Sequence, residues 1–227
     1  MLNLLSVFGF LDKEPTSSAV IIINAAMLVA LVVIIAVISV KRKSFNTKTI
    51  VFGGISVALS FALSYVKVYS SPFGGSVTLA SLLPICVFAY TFGIAPALFA
   101  GVTYGMLQFF QSPSLYTYAT LFLDYILPFS SVVMTAVARK FIKNETAGLL
   151  IGIFLTCAFR FACHFGSGII FFNAGYIVSG LPANNAFIYS FCYNAIYLVP
   201  DTLITIIAAF ILEKTRVIPR LIKISET

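Results

Sequence analysis

Residues 20–40 read VIIINAAMLVALVVIIAVISV, 21 residues without a charge that run directly into Lys41, Arg42 and Lys43. About 20 apolar residues in a helix cross the hydrocarbon core of a bilayer, so this stretch predicts a transmembrane helix whose C-terminal end meets the basic side. A cleaved signal peptide carries positive charge before a shorter apolar core. Here LDKEPTSS precedes the core and the bases follow it, so the helix is expected to remain in the mature protein.

Outward from this segment the same material recurs. Apolar stretches centre on 50–67, 78–92, 94–110, 118–138, 148–172 and 187–212, with Pro, Gly and Ser in the connections. With the first, these predict seven spans; between the third and fourth the turn signal is Gly93 to Pro96. The 227 residues are 60% hydrophobic and 9% charged, far from the quarter or so of charged residues in a soluble domain. An ordinary water-soluble enzyme is excluded. No glycine-rich loop followed by Lys and Ser or Thr is present, so no ATP-binding domain is expected. Cys86, Cys157, Cys163 and Cys192 lie in apolar segments without metal or redox spacing and read as packing residues. With one histidine in the chain, multi-His metal chemistry is not expected either.

The rare charges orient the spans, because Lys and Arg accumulate in short cytoplasmic segments. With the N-terminus outside, seven crossings put Lys41, Arg42, Lys43 and Lys48 inside, then Arg139, Lys140 and Lys143, then Lys214, Arg216, Arg220 and Lys223. Eleven of the 14 bases thus fall on one side, with the C-terminus cytoplasmic. The net charge of +7 is explained by this rule and does not point to nucleic acid. The outer connections, YSSPFGGS, QSPSLYTY and NAGYIVSGLPANN, are polar, aromatic and nearly uncharged, a composition suited to capping a small-molecule pocket.

Ionisable groups inside membrane helices are costly and face a cavity or a partner. Asp124 lies in TLFLDYILPFSS and Arg160 in TCAFRFACHFGSG, and His164 follows Arg160 by four residues on the same helical face. An internal ion pair between Asp124 and Arg160 that ties helices together is the structural alternative to a site. Asn194 sits in YSFCYNAIYLVPD, where Tyr189, Tyr193 and Tyr197 share a face. The bland reading of those rings is an interfacial belt, which fits Tyr189 better than Tyr197. An acid, an imidazole, an amide and many rings lack a nucleophile and its base. They suit recognition of a small, planar, partly cationic molecule, so binding is expected and catalytic residues are not.

On these residues the chain resembles the thiamine-specific substrate-binding membrane subunit, or S component, of energy-coupling factor transporters, the proton-coupled thiamine transporter family. The resemblance covers 47–212 and rests on GGSVTLASLLPICVFAYTFGIAPALFAGVTYGMLQ, FLDYIL, RFACHFGSGIIFF and YSFCYNAIYLVPD. Its more specific marks are the spacing of His164, Gly168 and Phe172 and the arrangement from Tyr189 to Asn194.

The resemblance implies an all-α, polytopic transmembrane bundle with a six-helix core that binds thiamine near its external surface. It also implies a transmembrane coupling subunit and two cytosolic ATPase subunits as partners. Asp124 stands where the family has Glu; Tyr125, His164, Phe172, Tyr189 and Asn194 match its other contacts. Phe172 replaces a Trp, and the chain has no Trp at all, so stacking falls to Phe172, Tyr116 or Tyr69. Gly54 and Ala58 match the small-residue stripe that meets the coupling subunit, since small faces permit close helix approach. The expected organisation is therefore 1–46 with an additional transmembrane helix, 47–214 as the binding core, and 215–227 as a basic cytoplasmic tail. A standalone secondary carrier for thiamine, a precursor or a related aromatic cation, with Asp124 and His164 exchanging protons, is the alternative function.

Overall fold

A computed structural model of the chain describes residues 45–71, 74–112, 120–171, 180–181 and 184–226. The predicted helix at 20–40 lies outside them. Described in chain order are α1 (Thr47–Ser64), a hairpin of β1 (Lys67–Ser70) and β2 (Ser76–Thr78), α2 (Leu83–Phe92), and α3 (Ile94–Gln111). After them come α4 (Leu121–Phe141), α5 (Glu145–Phe171), α6 (Ala186–Lys214) and α7 (Val217–Glu226). The first six helices form the expected core, and the chain is an all-α membrane bundle. Helices α1, α4, α5 and α6 are each long and apolar enough to cross a bilayer.

Local sequence explains the helix boundaries. Asn46 caps α1 by accepting from Thr49 N at 2.8 Å, and Asn185 caps α6 by accepting from Phe187 N at 2.8 Å, each satisfying an orphan donor of the first turn. Gly93, at φ 90°, separates α2 from α3 in a backbone region that disfavours residues with a Cβ. Pro96 sits inside the first turn of α3, where its missing N–H costs nothing.

The span predicted at 78–92 is shorter than expected. Helix α2 has 10 residues, about 15 Å of rise against roughly 30 Å of hydrocarbon. Its upstream part is instead the strand β2 and a turn. This helix is the centre of the bundle: Ile85 to Thr91 are all buried. Leu82, Ile85 and Phe88 join Ala97, Tyr104, Phe129, Leu149 and Ile153 in one apolar core, as expected for a helix that is hydrophobic all round.

Polar contacts tie the helices across this core. Ser131 Oγ donates to Thr156 O at 3.0 Å while Thr156 Oγ1 donates to Ser131 O at 3.1 Å, joining α4 to α5. The Arg139 guanidinium donates to the carbonyls of Tyr90 and Thr91 at 3.0 and 2.7 Å, satisfying the C-terminal end of α2 with a charge of the favourable sign. Val199, Leu203, Ile207 and Ile211 lie exposed along α6, a face suited to lipid. Past α6, the basic segment from 215 onward contains α7, where Ile218 is buried in the core and Leu221 and Ile222 pack against it.

Candidate functional site: a polar pocket at one end of the bundle

The C-terminal end of α1, the hairpin, the C-terminal end of α3, the start of α4, the C-terminal half of α5 and the N-terminal half of α6 enclose one pocket. The opposite end holds the start of α1, the ends of α4 and α6, and α7. Lys48, Arg139, Lys140, Lys143, Lys214, Arg216, Arg220 and Lys223 all belong to that opposite end. Pocket and basic cluster thus occupy opposite ends of the described bundle.

Asp124 enters the pocket from a π-helical turn, Leu121–Ile126, that opens α4. Such a turn inserts one residue into the helical repeat and re-aims its side chains. The carboxylate accepts from Ser167 Oγ at 2.9 Å and meets His164 Nδ1 at 3.3 Å, both from α5. With Nδ1 turned to Asp124, His164 Nε2 is the ring nitrogen left for a ligand, and it has no hydrogen-bond partner among the described residues. Tyr125 also lines the pocket, and its hydroxyl donates to Ser112 O at 2.6 Å.

Helix α6 supplies the opposite wall. Tyr189 and Tyr197 are both buried, so neither belongs to an interfacial belt. Asn194 donates to Ser190 O at 2.8 Å and accepts from the Tyr197 hydroxyl at 2.7 Å, which fixes the orientation of its amide. On the α1–α3 side, Ser64 Oγ donates to Gln111 Oε1 at 2.8 Å and Gln108 Nε2 to the Tyr104 hydroxyl at 3.0 Å. Both glutamines line the pocket.

The expected alternative pairing of Asp124 with Arg160 does not form. Arg160 Nη1 bonds Asp201 Oδ2 at 3.0 Å, and its guanidinium lies over the Phe129 ring, 4.9 Å from the centroid. The other carboxylate oxygen of Asp201 accepts from Thr78 N and Thr78 Oγ1, both at 2.8 Å, so one buried acid holds α5, α6 and the hairpin together. At the hairpin tip Gly75 lies against the Tyr197 ring, where an added Cβ would come within 2.5 Å of ring carbons.

Of the sequence-selected residues, the structure brings Asp124, Tyr125, His164, Tyr189 and Asn194 to one pocket. Tyr69 is not among the described lining residues: it is exposed on β1, the outer strand, of which Lys67 alone reaches the pocket, whereas Val77 and Thr78 of β2 are buried against α6. Phe172 and Tyr116 lie outside the described residues. Gly54 and Ala58 share an exposed face of α1 with Val51 and Ile55, and nothing lies within 4 Å of where a Gly54 side chain would begin. Sequence reasoning missed Ser167, Gln108, Gln111 and Asp201. Ser167 had a signal, three residues from His164 on the same face, and Asp201 had one in being an acid inside an apolar span.

A polytopic helical bundle with a polar, ring-lined pocket at one end is the architecture of a membrane protein that handles a small molecule. The chain belongs to the thiamine transporter protein family (Thia_YuaJ), whose model matches residues 50–221. It is 32% identical over 169 residues to the thiamine transporter ThiT of Bacillus subtilis (strain 168), covering 68% of this chain and 82% of that protein. The solved structure of ThiT from Listeria monocytogenes has the same fold, with a TM-score of 0.66 at 23% identity over 78% of this chain and 99% of that one.

Proposed function

We propose that this chain captures thiamine at the outer face of the cell membrane and acts as the substrate-binding subunit of an energy-coupling factor transporter. In that assembly a transmembrane coupling subunit and two cytosolic ATPases supply the work of transport. The observation that carries the reading is the convergence of Asp124, His164, Asn194 and the α6 tyrosines on one pocket. Those groups suit an aminopyrimidine joined to a cationic ring. The carboxylate accepts from the amino group or balances the positive charge, the amide and imidazole set orientation, and aromatic faces attract the cation. The relatives named as thiamine transporters support the same ligand.

Orientation follows from charge. The pocket lies opposite the basic end, and basic ends sit in the cytoplasm, so the pocket opens outward and both the basic cluster and the C-terminus lie inside. The exposed small-residue face at Gly54 and Ala58 is assigned to the coupling subunit. Lipid covers the apolar face of α6.

Calorimetric titration of the purified chain with thiamine, its phosphate esters and its pyrimidine precursor tests the ligand. Saturable one-to-one thiamine binding is expected, and binding of the precursor alone overturns the assignment. Uptake into cells with and without the ATPase subunits tests the coupling. Loss of uptake without them is expected, whereas undiminished uptake driven by a proton gradient identifies a standalone carrier.

A further inference from the structure

We propose that Asp201 sets the charge selectivity of the pocket without touching the ligand. By cancelling the Arg160 guanidinium it leaves Asp124, whose side chain is 25% exposed at the pocket, as the unbalanced charge there, so the pocket prefers a monocation to a neutral molecule of the same shape. The inference rests on the reading that thiamine occupies the pocket, and it assigns the origin of that site's preference for a cation.

Among the described residues, the Asp, Glu, Lys and Arg side chains lining the pocket are Asp124, Arg160 and Lys67. Lys67 belongs to the exposed strand β1, where water and salt screen it. Arg160 is different. Its side chain is 11% exposed, a guanidinium does not give up its proton, and Nε has no hydrogen-bond partner among the described residues. Left alone it would place a permanent positive charge in the wall of a site meant for a cation.

Asp201 removes that charge from the balance. Its side chain is 3% exposed and sits 3.0 Å from Arg160 Nη1, and its second oxygen is occupied by Thr78. It is not among the residues lining the pocket. The carboxylate is therefore a positioning and neutralising group that acts through Arg160. Asp124 meets the Ser167 hydroxyl and the His164 imidazole and pairs with no guanidinium among the described residues.

The test measures affinity of the full-length protein in nanodiscs for two ligands: thiamine, and an analogue in which an uncharged thiophene ring replaces the thiazolium. The readout is the ratio of the two dissociation constants. Asp201→Asn is expected to shift the ratio against thiamine by at least about tenfold, because one uncompensated charge acts through an interior of effective permittivity about 20. The double variant Arg160→Gln/Asp201→Asn is expected to restore it, since a neutral pair again leaves Asp124 in charge of the site. A merely structural role for Asp201 weakens both ligands equally, and an unchanged ratio in Asp201→Asn overturns the inference. If Asp201→Asn does not fold, Arg160→Gln reads the same balance in reverse. It leaves Asp201 unpaired and must move the ratio toward thiamine, and an unmoved ratio there also overturns the inference. A wild-type chain that binds the neutral analogue but shows no preference for thiamine overturns it while leaving the pocket assignment intact. A wild-type chain that binds neither ligand removes the thiamine reading and this inference with it.

Discussion

Ser167 Oγ donates to Asp124 Oδ2 at 2.9 Å across the contact of α5 with α4, although the two residues are 43 positions apart. That bond, with His164 on the other oxygen, aims the carboxylate that the π-helical turn delivers into the pocket. The site is thus a product of two helices held in register, and each of its supports can be removed separately.

Asp124→Asn keeps the shape of the side chain and one of its two acceptor oxygens but removes its charge. Thiamine affinity should fall about tenfold, ~1.4 kcal/mol, the scale of a charged hydrogen bond. Titration calorimetry reads the loss, and unchanged affinity refutes the role given to the acid.

Thr78→Val removes the hydroxyl bond to Asp201 while leaving the backbone N–H in place. The hairpin that borders the pocket should be held less firmly by about 1 kcal/mol, and bound thiamine should leave several-fold faster. Stopped-flow dissociation measures this. In a double-mutant cycle with Asp201→Asn, the two changes should couple by at least about 0.5 kcal/mol; additive effects contradict the latch.

Arg139→Gln takes away two charged donors from the carbonyls that end α2. Because α2 is the buried centre of the bundle, the expected loss is about 2 kcal/mol, a fall of roughly 4–8 °C in the midpoint for a chain of this size. Thermal unfolding in detergent checks it, and an unaltered midpoint shows that the cap is dispensable.

Gly54→Leu fills the exposed small-residue face of α1, away from the pocket. Thiamine binding should be unchanged, while uptake that depends on the ATPase subunits should collapse. Parallel binding and uptake assays separate the two, and normal uptake moves the partner contact elsewhere.

Much of the fold was legible residue by residue. Gly93 marked the break between α2 and α3, and the in-span groups Asp124, His164 and Asn194 stood out because solvation does not explain them inside lipid. Two things were not legible. The ten-residue α2 looked like a full span, since the strand end and turn before it, with Val77, Ala80 and Leu82 buried, are as apolar as a helix. Tyr69 looked equivalent to other rings because composition does not distinguish the outer strand of a hairpin from the inner one.

The sequence alone determined the solvent and most of the helices, because hydropathy over about 20 residues is a property of each segment by itself, and the placement of bases supports the sides of the membrane proposed above. Only the tertiary structure decided which acid neutralises Arg160. Asp124 and Asp201 both lie in apolar spans, and a charge buried in low permittivity pairs with whichever opposite charge packing brings within contact. Here packing sets Asp201 at 3.0 Å and leaves Asp124 to face the pocket, a choice that depends on the register of α5 against α4 and α6.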